Sequence, residues 1–186
     1  RFETTSGLQA QVDWKEDLIL ISSHGEVFKI NIFLMVLGYS RTKFVKLTDS
    51  RDQRTLFSCM IDAFKYFCII PREILFDNMK NVIDRSKTSF SRVEFNTTFK
   101  YFANDFGFKP IECRSYRPQT KGKVEALAKL INRLVVYNGE FEHYSELKEI
   151  VENFMDEINN EVSQAKKEIP LKLLSKDKEY FKPLYH

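Results

Sequence analysis

Residues 8–14 read Leu8-Gln9-Ala10-Gln11-Val12-Asp13-Trp14, with Leu8, Ala10, Val12 and Trp14 on one face and Gln9, Gln11 and Asp13 on the other. A period of two is that of a β-strand with one side against a core. Asp is poorly suited to a strand interior, so Asp13 on the polar face is the first candidate for chemistry. Apolar residues follow at Leu18–Ile21, His24-Gly25 offers a turn, and Val27–Leu37 is β-branched and aromatic enough for a central strand. Gly38-Tyr39-Ser40-Arg41 is a second turn before Phe44–Leu47. Three strands joined by short turns predict an antiparallel meander.

The period then changes. Leu56, Phe57, Met60, Ile61, Phe64 and Phe67 make one face of a helix that begins near Asp52 and ends before Pro71. Glu73-Ile74-Leu75-Phe76 predicts a short buried strand ending on the carboxylate of Asp77. Residues 81–95 are polar and irregular and predict a mobile loop. Thr97–Phe106 predicts a second helix stopped by Gly107, and Phe108–Arg114 a short strand. Val124, Leu127, Ala128, Ile131, Leu134 and Val135 form the stripe of a third helix, with Glu125 beside it in the first turn. A last helix is expected from Tyr144 to Val162, on Leu147, Ile150, Val151, Phe154 and Ile158.

This order predicts a mixed α/β fold, a five-stranded mixed sheet flanked by helices. Residues 1–163 are expected to form one domain and the Lys-rich, poorly periodic 164–186 a tail towards a further domain. Residue 1 is Arg, which reads as a piece of a longer protein.

At 186 residues and 43% hydrophobic, the chain can bury a core of its own. Its 6 glycines stand too far apart for a Gly-rich phosphate loop, which excludes the usual nucleotide sites. Cys59, Cys68 and Cys113 show no C-x-x-C spacing, which excludes a zinc ribbon and fits a reducing cytoplasm. His24, His143 and His186 are too scattered for a zinc motif, so any metal should take oxygen ligands. Val27–Leu37, interrupted by Lys29 and Asn31, is too short for a membrane span. The net charge of +3 is modest, but its distribution is uneven. Seven Lys and Arg stand against two Glu between Phe106 and Arg133, and eight acids against one Lys between Glu140 and Glu161. The first segment suits phosphates.

Asp13 on the first strand, Asp77 ending the fourth and Glu125 opening a helix are the candidate catalytic and metal-holding residues. After a meander and a crossover, the first and fourth strands can be neighbours, so these acids can converge. Three carboxylates in one cleft repel unless a divalent cation neutralises them, and oxygen-only ligation suits Mg²⁺ or Mn²⁺.

Five strings carry a resemblance: Gly7-Leu-Gln-Ala-Gln-Val-Asp-Trp14, Val36-Leu-Gly-Tyr-Ser-Arg41, Asp52-Gln-Arg-Thr-Leu56, Ile74-Leu-Phe-Asp-Asn-Met-Lys80 and Tyr116-Arg-Pro-Gln-Thr-Lys-Gly-Lys-Val-Glu125. In this order they resemble the catalytic core of IstA-type bacterial insertion-sequence transposases, of the retroviral-integrase (DDE) superfamily, over residues 3–137. The resemblance implies an RNase H-like fold, with Asp13, Asp77 and Glu125 matching the Asp, Asp, Glu triad; the Arg usual after that Glu is Ala126 here. It further implies two Mg²⁺ or Mn²⁺ ions, cleavage at transposon ends and transfer of the 3′-hydroxyl into target DNA. Asn78, Lys80, Arg114, Arg117, Gln119, Lys121 and Lys123 flank the triad and are candidate DNA contacts. Transposon-end and target DNA, self-association and an ATPase helper are the implied partners, in a bacterial cytoplasm at the nucleoid. The competing readings are an RNase H-like nuclease without strand transfer and a catalytically dead DNA-binding or assembly module.

Overall fold

The computed structural model describes residues 9–76, 79, 83–85, 94–112, 126–163, 166–180 and 182–183. Its centre is a five-stranded mixed sheet. β1 (Gln9–Ile21), β2 (Val27–Leu37) and β3 (Lys43–Thr48) form the antiparallel meander. β5 (Glu73–Phe76) runs parallel to β1, and β8 (Lys109–Glu112) parallel to β5, giving the order β3-β2-β1-β5-β8. The first and fourth predicted strands are therefore neighbours, as the crossover argument requires.

α1 (Gln53–Phe67) starts where Asp52 caps it, accepting the Thr55 N–H at 2.7 Å. α2 (Thr97–Phe106) is capped by Asn96 and closed by Gly107, whose φ of 78° suits a residue without a Cβ. Both lie on the sheet face of Val12, Trp14 and Phe76. Phe76 meets Phe99 edge-on at 5.0 Å, and Phe57 stacks on Phe102 at 4.1 Å.

The other face carries Gln9, Gln11 and Asp13. α3, described over 126–131, passes into the 3-10 run Asn132–Tyr137, and α4 (Tyr144–Asn160) follows. Leu127, Ile131 and Leu134 are buried, but Val135, expected on the same stripe, is 45% exposed. The 3-10 run turns three residues per turn, so Leu134 stays under Ile131 while Val135 swings outward.

β1 is one strand with a bulge between Lys15 and Leu18, where Asp17 has a φ of 52° and its N–H meets Asn31 Oδ1 at 3.2 Å. The extra residue flips the alternation. Leu18 and Leu20 thus join the Asp13 face and are buried, while Ile19 faces solvent.

Three expectations differ from the structure. The strand expected from Phe108 to Arg114 is described as Lys109–Glu112, Phe108 serving as a core side chain beside Phe64 and Phe99. Within 81–95, read as a loop, β6 (Ile83–Arg85) pairs antiparallel with β7 (Glu94–Phe95). Beyond Ser163 the chain forms α5 (Pro170–Tyr180) and β9 (Lys182–Pro183), which pairs with β4 (Ile69–Ile70). The β4–β9 pairing, the buried carboxylate of Asp177 and the buried side chain of Leu174 hold this part to the body, and one buried leucine leaves no hydrophobic period to read.

Candidate active site

The ladder between β1 and β5 sets Val12 opposite Phe76, and that between β5 and β8 sets Phe76 opposite Glu112. Position 13 is the next step along β1, towards the carboxyl-terminal side of the parallel strands, the side on which open α/β sheets hold ligands. Asp13 is half-buried there, and its Oδ1 accepts the Trp14 N–H at 2.8 Å. Trp14 points to the opposite face and meets Phe33 edge-on at 5.4 Å. The carboxylate therefore stands on a strand packed from below and paired on both sides, which fixes its position more tightly than a loop would.

Of the residues singled out from sequence, the structure describes Asp13. Asp77, Asn78, Lys80, Arg114, Arg117, Gln119, Lys121, Lys123 and Glu125 lie outside the described residues. The elements that lead to them are described. The described part of β5 reaches Phe76, one residue before Asp77, and the described part of α3 starts at Ala126, one residue after Glu125. Ala126 and Leu127 share a cleft with Val36, whose partner across the ladder is Gln11 on Asp13's face. Among the described residues no three His, Cys, Asp or Glu converge on a metal position. The donor Asp13 offers is a carboxylate oxygen, which fits a hard divalent cation.

Sequence reading missed several polar groups here. Gln11, two positions before Asp13, is 3% exposed, and among the described residues its Oε1 has no hydrogen-bond partner. Its signal was its place on Asp13's face, where an amphipathic strand reads as facing water. Glu112, taken only as a charge within a basic segment, is buried at the end of β8. Arg41, the last residue of the second turn, and Lys43, the first of β3, line the same cleft as Ala126. Lys43 Nζ donates to the Arg41 carbonyl at 2.7 Å, and burial, followed by the Arg41 charge, pushes the lysine down to about 8.

Comparison with known proteins agrees with this fold. The chain is 40% identical over 184 residues to the transposase of insertion sequence IS232 from Bacillus thuringiensis subsp. berliner, covering 99% of this chain and 42% of that protein. It is 40% identical over 167 residues to a putative transposase of IS5376 from Geobacillus stearothermophilus, covering 89% and 40%. With the transposase of IS21 from Pseudomonas aeruginosa it shares 30% over 188 residues, covering 99% and 47%. The chain thus spans less than half the length of each of these relatives. Among solved structures, the catalytic core domain of BIV integrase superposes with a TM-score of 0.65 at 14% identity, covering 93% of this chain and 97% of that one. A chain of the simian T-cell lymphotropic virus intasome in complex with PP2A regulatory subunit B56 gamma superposes with a TM-score of 0.67 at 14% identity, covering 94% and 56%. No protein-family model matches the chain. The chain is homologous to the insertion-sequence transposases and has the fold of retroviral-integrase catalytic cores.

Proposed function

With homology to the insertion-sequence transposases as the premise, we propose that this chain is the catalytic part of a DDE transposase. It would cleave DNA at transposon ends and transfer the freed 3′-hydroxyl into target DNA. What carries the reading is the register of the central strands. β1 and β5 run parallel with Val12 opposite Phe76, each followed in sequence by an Asp, while Ala126 and Leu127 of α3, next after Glu125 in sequence, line a cleft with Val36 on Asp13's face.

In this reading Asp13, Asp77 and Glu125 would hold divalent cations, two Mg²⁺ or Mn²⁺ as the family resemblance implies. Such ions neutralise charge on the attacking and leaving oxygens of an in-line phosphoryl transfer. The chain's own part is to hold three like charges at fixed places. Asp13 is held by a paired strand and by the Trp14 N–H on its Oδ1. Water and then the DNA 3′-hydroxyl are the nucleophiles, so no Ser or Cys activated by a base is required. Asn78, Lys80, Arg114, Arg117, Gln119, Lys121 and Lys123 would clamp backbone phosphates and position the strand without reading sequence.

The partners in this reading are transposon-end and target DNA, further copies of the protein and an ATPase helper, in the bacterial cytoplasm at the nucleoid. Among the described residues no helix is long and apolar enough to cross a membrane. Recognition of the end sequence falls to parts of the protein outside this chain.

The test is Asp13→Asn, Asp77→Asn and Glu125→Gln in the full-length protein, with a transposon-end duplex carrying a pre-cut 3′-hydroxyl. Each variant should melt like the parent, lose Mn²⁺ binding by calorimetry and form no joined product. Joining by any of the three overturns the triad. A parent that cuts but never joins is a nuclease, and one that binds DNA with no metal dependence is an assembly module.

A further inference from the structure

On the face of β1 that carries Asp13 the next side chain is Lys15, because alternate residues of a strand share a side. Their partners across the ladder, Leu34 and Ile32, are fully buried, and Leu47, opposite Ile32 on β3, is buried too. Lys15 itself is half-buried. A lysine among aliphatic neighbours lays its methylenes along them and keeps the ammonium at the edge.

The bulge decides which charges stand beside it. With unbroken alternation Asp17 would follow Lys15 on this face. The extra residue instead leaves Asp17 exposed, in a left-handed conformation held by its N–H on Asn31 Oδ1, and Leu18 takes the next inward place. Glu16 is exposed and paired with Arg51 at 2.5 Å. Along the face the order is thus Asp13, Lys15, Leu18, Leu20: one acid and one base, then apolar residues. Among the described residues Lys15 makes no hydrogen bond and no ion pair, with Asp13, Glu16 and Asp17 included.

An ammonium is a compact charge with three donors, and here all three are open to a ligand. Two residues of strand span about 7 Å, so Lys15 serves a group adjoining whatever is held at Asp13. A nucleic-acid strand carries one phosphate per nucleotide, and with one phosphodiester at Asp13 the neighbouring one comes within reach of Lys15.

Resting on the transposase reading, we propose that Lys15 is a DNA-contacting residue of this site, its ammonium holding a non-bridging oxygen of the phosphodiester next to the one that reacts at Asp13. The contact is to the backbone, so it places the strand without reading bases.

The experiment uses the full-length protein and a fluorescein-labelled transposon-end duplex, without divalent metal. Lys15→Met, which keeps the stem and removes the charge, should weaken binding about fivefold and lower the slope of log affinity against log salt by about one, while Lys15→Arg keeps both. Mn²⁺ affinity in Lys15→Met, read by calorimetry, should not fall, since removing a positive charge beside a cation site does not disfavour the cation. In the unaltered protein the duplex should protect Lys15 from acetylation, read by mass spectrometry, which decides the matter should Lys15→Met fail to fold. Parental DNA affinity and salt slope in folded Lys15→Met, or acetylation of Lys15 at one rate with and without duplex, overturns the contact. Weakened Mn²⁺ binding in Lys15→Met overturns it too, by making Lys15 a support of the metal-holding residues. The transposase reading fails separately, when Asp13→Asn still joins a pre-cut end.

Discussion

The Lys43 ammonium is largely removed from water, its hydrogen bond within the described residues goes to the Arg41 carbonyl, and its pKa falls from 10.5 to about 8. The folded chain thus binds the Lys43 proton less tightly than the unfolded chain does. Stability tied to this group is fully present above about 10.5 and is lost as pH falls through about 8. Lys43→Met, which removes the charge and keeps the stem, should therefore raise stability at pH 7 by about 1–2 kcal/mol, after allowing for the lost hydrogen bond. The gain should shrink towards zero by pH 10, and thermal melts at the two pH values check the sign. Asp13 itself was legible because a charged residue breaks the expectation for a strand. Gln11 was not, because a Gln on a strand's polar face looks solvated until the fold buries it, as its 3% exposure shows.

At the scale of elements, the outer edge of β3 is closed by a side chain. Asn159 of α4 accepts the Lys43 N–H at 2.8 Å and donates to the Lys43 carbonyl at 2.8 Å, as a neighbouring strand residue would. Its amide also donates to the Tyr66 hydroxyl at 2.9 Å, tying α1 to the same point. Asn159→Ala strands three partners of a buried amide and should cost about 2–4 kcal/mol in urea unfolding, whereas Tyr66→Phe removes one and should cost about 1 kcal/mol. The helix was legible from its apolar spacing, but Asn159 looked like one more polar residue near a helix end. The same limit applies to the bulge in β1. Leu8–Trp14 and Leu18–Ile21 each read as strand, yet the residue that joins their frames, Asp17, leaves no mark in hydrophobic period. Helix and strand types followed from pattern; the points where two patterns meet were set by pairing.

For the molecule as a whole, residues beyond Ser163 grip the turn that presents Arg41. Asp177 of α5 is fully buried and accepts the Ser40 N–H at 3.2 Å, while the Thr42 hydroxyl donates to the Pro170 carbonyl at 3.2 Å. Lys166 lies over the Tyr39 ring at 4.5 Å. Asp177→Ala should cost about 2 kcal/mol, and a chain ending at Ser163 should lose more, both read as shifts in the urea midpoint. An unaltered midpoint on truncation would mean that α5 adds nothing to the body. The order of elements was legible because each long element keeps its own period, whereas this segment is tied on by hydrogen bonds between distant residues. The chain's 1 tryptophan is Trp14, whose backbone N–H rests on the Asp13 carboxylate. Ultraviolet emission from this protein therefore has a single address, next door to the chemistry, so a paramagnetic ion such as Mn²⁺ arriving there would announce itself by dimming the native light of the chain, with no dye attached.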